Sequence, residues 1–403
     1  MLKIAFRNAF RQKRRSLLTA MTMIAGFVLA SLSIAWGDGT YSDVIQVFTH
    51  SRLGDIQIHD ASYPDNPSIN KTIRGYDRIM EEAGRVPGVS SCAPRIMAGA
   101  LISVGSETTV AQLTGVDPER EDATTGFNRK IISGHGFFPQ GKNEAILGKG
   151  LARLLKTGAG GQAVIVSQAA DGSVANDLYD MVGIADSGDE FQDRTDCYLR
   201  LRDTQDLLAL DGRVHEIAIT VDAARNVLPA AHQIAAALND PALAVEPWQE
   251  FARDFYRAMQ ADLEGLWIML VIIVLIVAVG VLNTVLMSVL ERRREHGVLL
   301  ALGTRPADLF RAVVYEVGIL AAASVAAGCV IALIVNYGLS IHGITLPHPY
   351  SYGGMTFERF RTEVNIRSFL IPAATVLLAA VAVAVFPALK AARTDPAPSM
   401  RMH

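Results

Sequence analysis

Cysteine is scarce, with three in 403 residues, which leaves no material for a disulfide framework. Charge is scarce too, at 19% of residues, which is too little for a soluble domain of this length. The nine histidines show neither HExxH nor any paired metal-ligand spacing, and no GxSxG elbow is present, so a zinc protease or a serine hydrolase is not supported. Gly136 to Lys142 spells GxxxxGK, but Asn143 follows where a phosphate loop needs a magnesium-binding hydroxyl, and Pro139 interrupts the loop. That stretch reads as a surface turn before a strand at 144–147. Cys92 and Cys197 read as isolated buried thiols, with a disulfide as the alternative in an oxidising compartment. Cys329 lies in an apolar run and reads as packing. No catalytic constellation emerges.

What the chain has in excess is apolar residues, half of the total, with a mean hydropathy of +0.27. They cluster in runs at 16–36, 266–290, 313–335 and 369–389. Each run is close to the ~20 residues that cross about 30 Å of hydrocarbon, and only a helix satisfies its own backbone over that distance. Buried core helices would show a polar face, and 266–290 has only Asn283. A cleavable signal peptide would fit the basic start and the small-x-small Ser33-Ile34-Ala35, but the first run exceeds the roughly 7–15 residues of its apolar region.

Orientation follows from lysine and arginine. Lys3, Arg7, Arg11, Lys13, Arg14 and Arg15 precede the first run; Arg292, Arg293, Arg294, Arg305 and Arg311 separate the second and third; Lys390, Arg393 and Arg401 follow the fourth. The positive-inside rule makes these segments cytoplasmic and puts 38–264 and 336–368 outside. Arg359, Arg361 and Arg367 argue weakly the other way. Within 1–15, Leu2, Ala5, Phe6, Ala9 and Phe10 share one helical side and the basic residues the other, as in a helix lying in the inner interface.

The fold class expected is therefore an α-helical membrane protein with four transmembrane helices in a 1+3 arrangement. A large α+β extracytoplasmic domain is inserted between spans one and two. Alternation at 55–59, 108–114 and 214–221 predicts strands, and 76–84 and 223–238 predict helices, the last stopped at Asn239-Asp240-Pro241. Gly and Pro gather at 134–141, which predicts a boundary between two subdomains. The domain limits expected are 1–15, 16–37, 38–264, 265–290, 291–311, 312–335, 336–368, 369–389 and 390–403.

Between the second and third runs the chain reads ERRREHGVLLALG. Val298, Leu299, Ala301 and Leu302 form an apolar face, Gly303 is placed to end one helical piece, and Pro306 to begin the next. Such a helix, fixed at both ends to spans, suits docking in a partner's groove; an ordinary basic loop is the bland alternative. Glu316, near the inner end of the third run, costs about 2.5–3.5 kcal/mol if unpaired at mid-bilayer, so it is expected to snorkel or to pair with an inner arginine.

These residues resemble the FtsX/MacB-like permeases of ABC transporters. The resemblance is carried by Glu291 through Gly297 with Ala301-Leu302-Gly303, by Glu316-x-Gly318, and by Phe386-Pro387-Ala388 through Ala391-Ala392-Arg393-Thr394-Asp395-Pro396. Arg7-Asn8 with Arg14-Arg15-Ser16 fits as well. In the outer segment, Val86-Pro87-Gly88-Val89, Gly115 to Glu119, and Ile146-Leu147-Gly148 with Leu151-Ala152 look like the lipoprotein-releasing LolC/LolE branch. The resemblance implies a non-catalytic subunit that binds two copies of a separate cytoplasmic ATPase and pairs with a second permease protomer, identical or paralogous. It implies no cofactor on this chain, with ATP and Mg on the partner, and no nucleic-acid partner.

The implied ATPase-coupling residues are Glu291, Arg292, Arg293, Arg294, Glu295, His296, Gly297, Leu300, Ala301, Leu302, Gly303 and Thr304. For acyl chains, apolar position alone suggests a cleft lined by Phe27, Leu32, Trp36, Leu266, Trp267, Leu270 and Val274. The implied function is extraction of lipoproteins from the outer leaflet of a bacterial inner membrane by mechanotransmission, with both termini cytoplasmic and the large domain periplasmic. Alternatives are a same-fold exporter of a small molecule or peptide, a signaller to a cell-wall hydrolase, and a membrane-anchored sensor without an ATPase.

Overall fold

A computed structural model describes residues 13–223, 226–352 and 355–393. The amphipathic helix expected over 1–15 lies almost wholly outside the described residues, as do Thr394-Asp395-Pro396 and the rest of the tail. The chain divides into two compact units. One contains residues 1–42, 259–347 and 359–403, the other residues 43–258 and 348–358.

The four apolar runs lie inside longer helices: α1 (Lys13–Phe48), α2 (Arg253–Glu291), a short α3 (Arg293–Ala301), α4 (Pro306–His342) and α5 (Arg367–Ala392). By length and composition α1, α2, α4 and α5 are each able to cross a membrane. Their 36, 39, 37 and 26 residues correspond to between about 39 and 58 Å at ~1.5 Å per residue. All four therefore outrun a hydrocarbon core of about 30 Å. The run at 16–36 ends on hydropathy, but the helix continues to Phe48, because no proline stops it.

In the helical unit, Val277, Val281, Val285 and Val289 repeat every fourth residue and present one stripe of α2 to the core. Ala380, Ala384 and Ala388 do the same on α5, and small side chains there let α4 and α5 approach closely. The stretch 336–368, expected as a loop, holds the end of α4 and then a hairpin in which β13 (Ile344–Tyr352) pairs with β14 (Met355–Phe360).

The other unit carries strands β1 (Ile56–Asp60), β2 (Ile73–Arg74), β3 (Val89–Val104), β4 (Glu107–Val116), β5 (Ile131–Gly134), β6 (Glu144–Gly148) and β7 (Gln162–Gln168). Then follow β8 (Val174–Ala185), β9 (Asp196–Arg200), β10 (Arg213–Val214), β11 (Glu216–Val221) and β12 (Leu243–Pro247). Helix Tyr76–Gly84 forms as the periodicity predicts, and Val227–Leu238 forms within the expected 223–238 but begins later, ended by Asn239 in the left-handed region.

Ten of these strands form one sheet, and six of its pairings close on themselves: β3–β4–β9–β6–β8–β7 and back to β3. The ring encloses Ile102, Leu113, Leu147, Ile165, Tyr179 and Leu199, one from each strand and all buried. Strands β12, β1 and β11 continue the sheet from the first half of β3. The boundary expected at 134–141 is corrected by this ring: β3 and β4 precede that stretch and β6 to β9 follow it, so the closed core needs both sides. Cys92 on β3 and Cys197 on β9 are free thiols on strands separated by β4.

Candidate functional site

The segment joining α2 to α4 is built as a capped helix. Arg292 breaks from helical geometry, α3 runs for nine residues, and Gly303, at φ +92°, takes the left-handed turn that a Cβ disfavours. Thr304 N donates to Leu299 O and Gly303 N to Leu300 O, both at 3.1 Å, which satisfies the last carbonyls in a Schellman pattern. Pro306 then opens α4 at its first turn, where its missing N–H costs nothing.

Two faces result. His296 and Gly297 are buried and Leu300 packs on the helical core, while Val298, Leu299, Ala301 and Leu302 are exposed, Leu302 at 78%. Burial, and then the neighbouring Arg292 charge, pull the His296 imidazole down to about 4, so it is neutral near pH 7. Its Nδ1 is buried without a hydrogen-bond partner.

Ion pairs fix this segment to the bundle. Arg15 on α1 meets Glu291 at the end of α2. Arg292 reaches Glu295 at 3.1 Å through Nε and Glu316 on α4 at 3.2 Å through Nη1. Of the two outcomes expected for Glu316, pairing with an arginine is the one observed. Arg293 and Arg294 are exposed, as is Asn283 on the surface of α2.

The seven residues proposed for an apolar cleft do not share one lining. Phe27 is fully buried, its ring seated against Gly328 of α4, and Leu270 is buried as well. Both are packing residues, because α1 and α2 meet through small residues: Gly26 faces Val277, Gly37 faces Leu266, and Gly280 faces Thr22. Leu32, Leu266 and Val274 are half-buried, and Trp36 and Trp267 are exposed.

Sequence reading missed two polar clusters. Asn336, taken as the first residue of a loop, is a fully buried helical residue bonded to Ser31. In the sheet unit, buried Arg95 grips Glu121 through Nε and Nη2 at 2.9 and 2.8 Å, and Glu216 through Nη1 at 3.0 Å, with His59 a further 3.4 Å from Glu216. Alternation in β3 and β11 gave the only signal: charged residues at positions that the strand pattern turns inward.

The fold defines a membrane protein whose long apolar helices accompany a large α+β domain. The MacB-like periplasmic core domain model matches residues 16–237, more than half of the chain, and the FtsX-like permease C-terminal model matches 267–396. The chain belongs to this family: it is an ABC transporter permease of the FtsX/MacB/LolC type. The lipoprotein-releasing system transmembrane protein LolC of Neisseria meningitidis serogroup B is 20% identical over 415 residues, covering 99% of this chain and 98% of that protein. The ABC transporter permease YtrF of Bacillus subtilis is 34% identical over 140 residues, covering 32% of this chain and 30% of YtrF. The periplasmic region of MacB from Actinobacillus actinomycetemcomitans aligns with a TM-score of 0.37 at 10% identity, covering 51% of this chain and 94% of that structure.

Proposed function

We propose that this chain is the transmembrane subunit of a lipoprotein-releasing ABC transporter in a bacterial inner membrane. The observation that carries this reading is the end-to-end relationship to LolC, which spans both the helical part and the sheet domain. In this reading α1, α2, α4 and α5 cross the bilayer in a 1+3 arrangement with both termini cytoplasmic, as the distribution of arginine and lysine supports. The sheet domain is then periplasmic.

Two copies of a cytoplasmic ATPase, holding ATP and Mg, would seat on the segment from Glu291 to Thr304 of this chain and of a second permease protomer, identical or paralogous. The exposed Val298, Leu299, Ala301 and Leu302 offer the contact, and the ion pairs of Arg15 and Arg292 pass its movement to α1, α2 and α4. Acyl chains are stabilised in the bilayer by about 0.8 kcal/mol per buried methylene, so extraction needs an apolar surface to receive them. Leu32, Trp36, Leu266, Trp267 and Val274 supply such a surface on α1 and α2.

Depletion of the protein should leave lipoproteins in the inner membrane, measured by membrane fractionation. Normal sorting in depleted cells would sink the reading. A second reading, a permease of the same fold with a different substrate, is favoured by YtrF, which is more similar over its shorter match. Accumulation of another exported compound with lipoproteins correctly sorted would select it.

A further inference from the structure

The chain enters the sheet unit along α1 and leaves it along α2, but a third piece reaches it as well. The hairpin of β13 and β14 sets out from Gly343 in the helical unit, and its tip, residues 348–358, belongs to the sheet unit. Among the described residues that follow α2, only this tip does so. A two-stranded hairpin is marginally stable by itself in water, so its order depends on what holds its two ends.

The root is pinned in the helical unit. The Phe360 ring meets Trp36 of α1 edge-on with centroids 5.1 Å apart, and Gly39 of α1 leaves no room for a Cβ against Arg361 O. The Thr362 hydroxyl donates to Asn336 O of α4 at 2.7 Å.

The tip is seated in the sheet unit. Met355 and Phe357, 4% and 8% exposed, form a small apolar core with Val44 and Phe48 of α1 and Phe255 of α2. Phe255 is its centre: it stacks on Phe48 with centroids 4.0 Å apart, and Tyr352 and Trp248 meet it edge-on at 6.1 and 6.5 Å. Trp248 is itself buried, and its backbone N donates to Asp55 O beside β1 at 2.9 Å. Met355 also forms an antiparallel bridge with Asp189, in the turn between β8 and β9. That turn is braced from within, because Asp193 Oδ1 accepts Ser187 N and Oγ, and Asp189 Oδ1 accepts Phe191 N and Gln192 N. Pro347 and Pro349 fix two φ angles along β13 and stiffen the strand between root and seat.

We propose that this hairpin is a strap: it ties the ends of α4 and α5 to the sheet domain, so that a shift of those two helices moves the domain directly, in addition to what α1 and α2 transmit by continuity. The source of that shift rests on the transporter reading above; the tie itself does not.

The test uses the full chain in nanodiscs, with spin labels carried on p-acetylphenylalanine introduced at Val174 and Tyr337, exposed residues of the sheet unit and of α4. Double electron–electron resonance then reads how tightly the domain is held, with neither ATPase nor substrate present. F357A empties the seat and is expected to widen the distance distribution about twofold. A second label pair at Val174 and Leu228, both in the sheet unit, should keep its width and report that the domain is folded. Facing residues of antiparallel strands lie about 4.5–5.5 Å apart at Cα, within disulfide reach. Oxidation of D189C/M355C/F357A should therefore restore the wild-type width, and reduction should abolish it. This comparison is made within one protein, so it decides the question even where F357A lowers stability. An F357A width equal to wild type, or a width that oxidation leaves unchanged, would overturn the strap. In cells, F357A should keep ATPase co-purification and slow lipoprotein release about threefold or more. Wild-type release despite widened distances would overturn the coupling and leave the transporter reading, which depletion tests, in place.

Discussion

The side-chain amide of Asn336 donates to the hydroxyl of Ser31 at 3.0 Å, joining α4 to α1 between two fully buried residues. The backbone oxygen of Asn336 also accepts the Thr362 hydroxyl at 2.7 Å. Two further bonds, Glu363 N to Ala35 O at 2.9 Å and Asn365 Nδ2 to Asp38 Oδ2 at 2.7 Å, stitch the segment before α5 to α1. Three of the long helices are thus tied at one end by polar bonds where the rest of their contact is apolar.

A double-mutant cycle on this pair measures the tie. Interhelical hydrogen bonds in membranes average about 0.6 kcal/mol and reach ~1.7. N336A and S31A should each destabilise the helical unit by about that range and show a coupling of about 0.6 kcal/mol in reversible unfolding in mixed detergent micelles. Additive losses would mean that the bond is not made in the folded protein.

Close packing of α1 on α2 is open to a rescue experiment. A Cβ at Gly26 would lie 2.0 Å from Cγ2 of Val277, far inside contact distance. Overpacking of this kind costs about 1–3 kcal/mol, against roughly 1 kcal/mol that alanine gains over glycine in helix propensity. G26A should lower thermal stability, and G26A/V277A should recover part of the loss although V277A alone opens a cavity. A double variant no more stable than G26A would place the two helices further apart.

The four apolar runs, the break at Gly303 and the start at Pro306 were legible because each depends on residues close in sequence. Helix Val227–Leu238 was legible for the same reason, its end marked by Asn239. Long-range pairings were not. Nothing near Ile102 says that it opposes Ile165, and the parallel match of Leu113 with Cys197 joins residues across four intervening strands and several turns. The site divides likewise. The exposed face of α3 follows from its own spacing, but the burial of Phe27 depends on Gly328, and the partner of Glu316 depends on how α2 ends.

Leu302 is 78% exposed and Ala301 lies beside it on the face of α3 turned from the bundle, so substitution there should leave stability within about 0.5 kcal/mol. A301D and L302D should nevertheless abolish co-purification with the cognate ATPase, because each buries an unpaired carboxylate in an apolar contact. R293Q and R294Q, at the solvent rim, should weaken association mainly at low salt. Unchanged co-purification of L302D would move the docking surface elsewhere.

The buried arginine of the sheet domain sets a pH dependence. Burial alone would push the Glu216 carboxyl up, but the His59 hydrogen bond and the Arg95 charge outweigh it and hold it below its ordinary 4.5. A carboxyl depressed in the folded state stabilises above its unfolded value, and that contribution is lost as pH falls through the folded one. E216Q should therefore cost about 1–3 kcal/mol at pH 7, where Arg95 keeps Glu121, and progressively less below pH 4.5. Removal of Arg95 should cost more, about 3–5 kcal/mol, because two buried carboxylates lose their counter-ion together. Trp248 is the tryptophan of this unit, so W36F/W267F isolates its fluorescence in the full chain. A wild-type curve that stays parallel to E216Q from pH 7 to well below 4.5 would mean that Glu216 is not held ionised by Arg95.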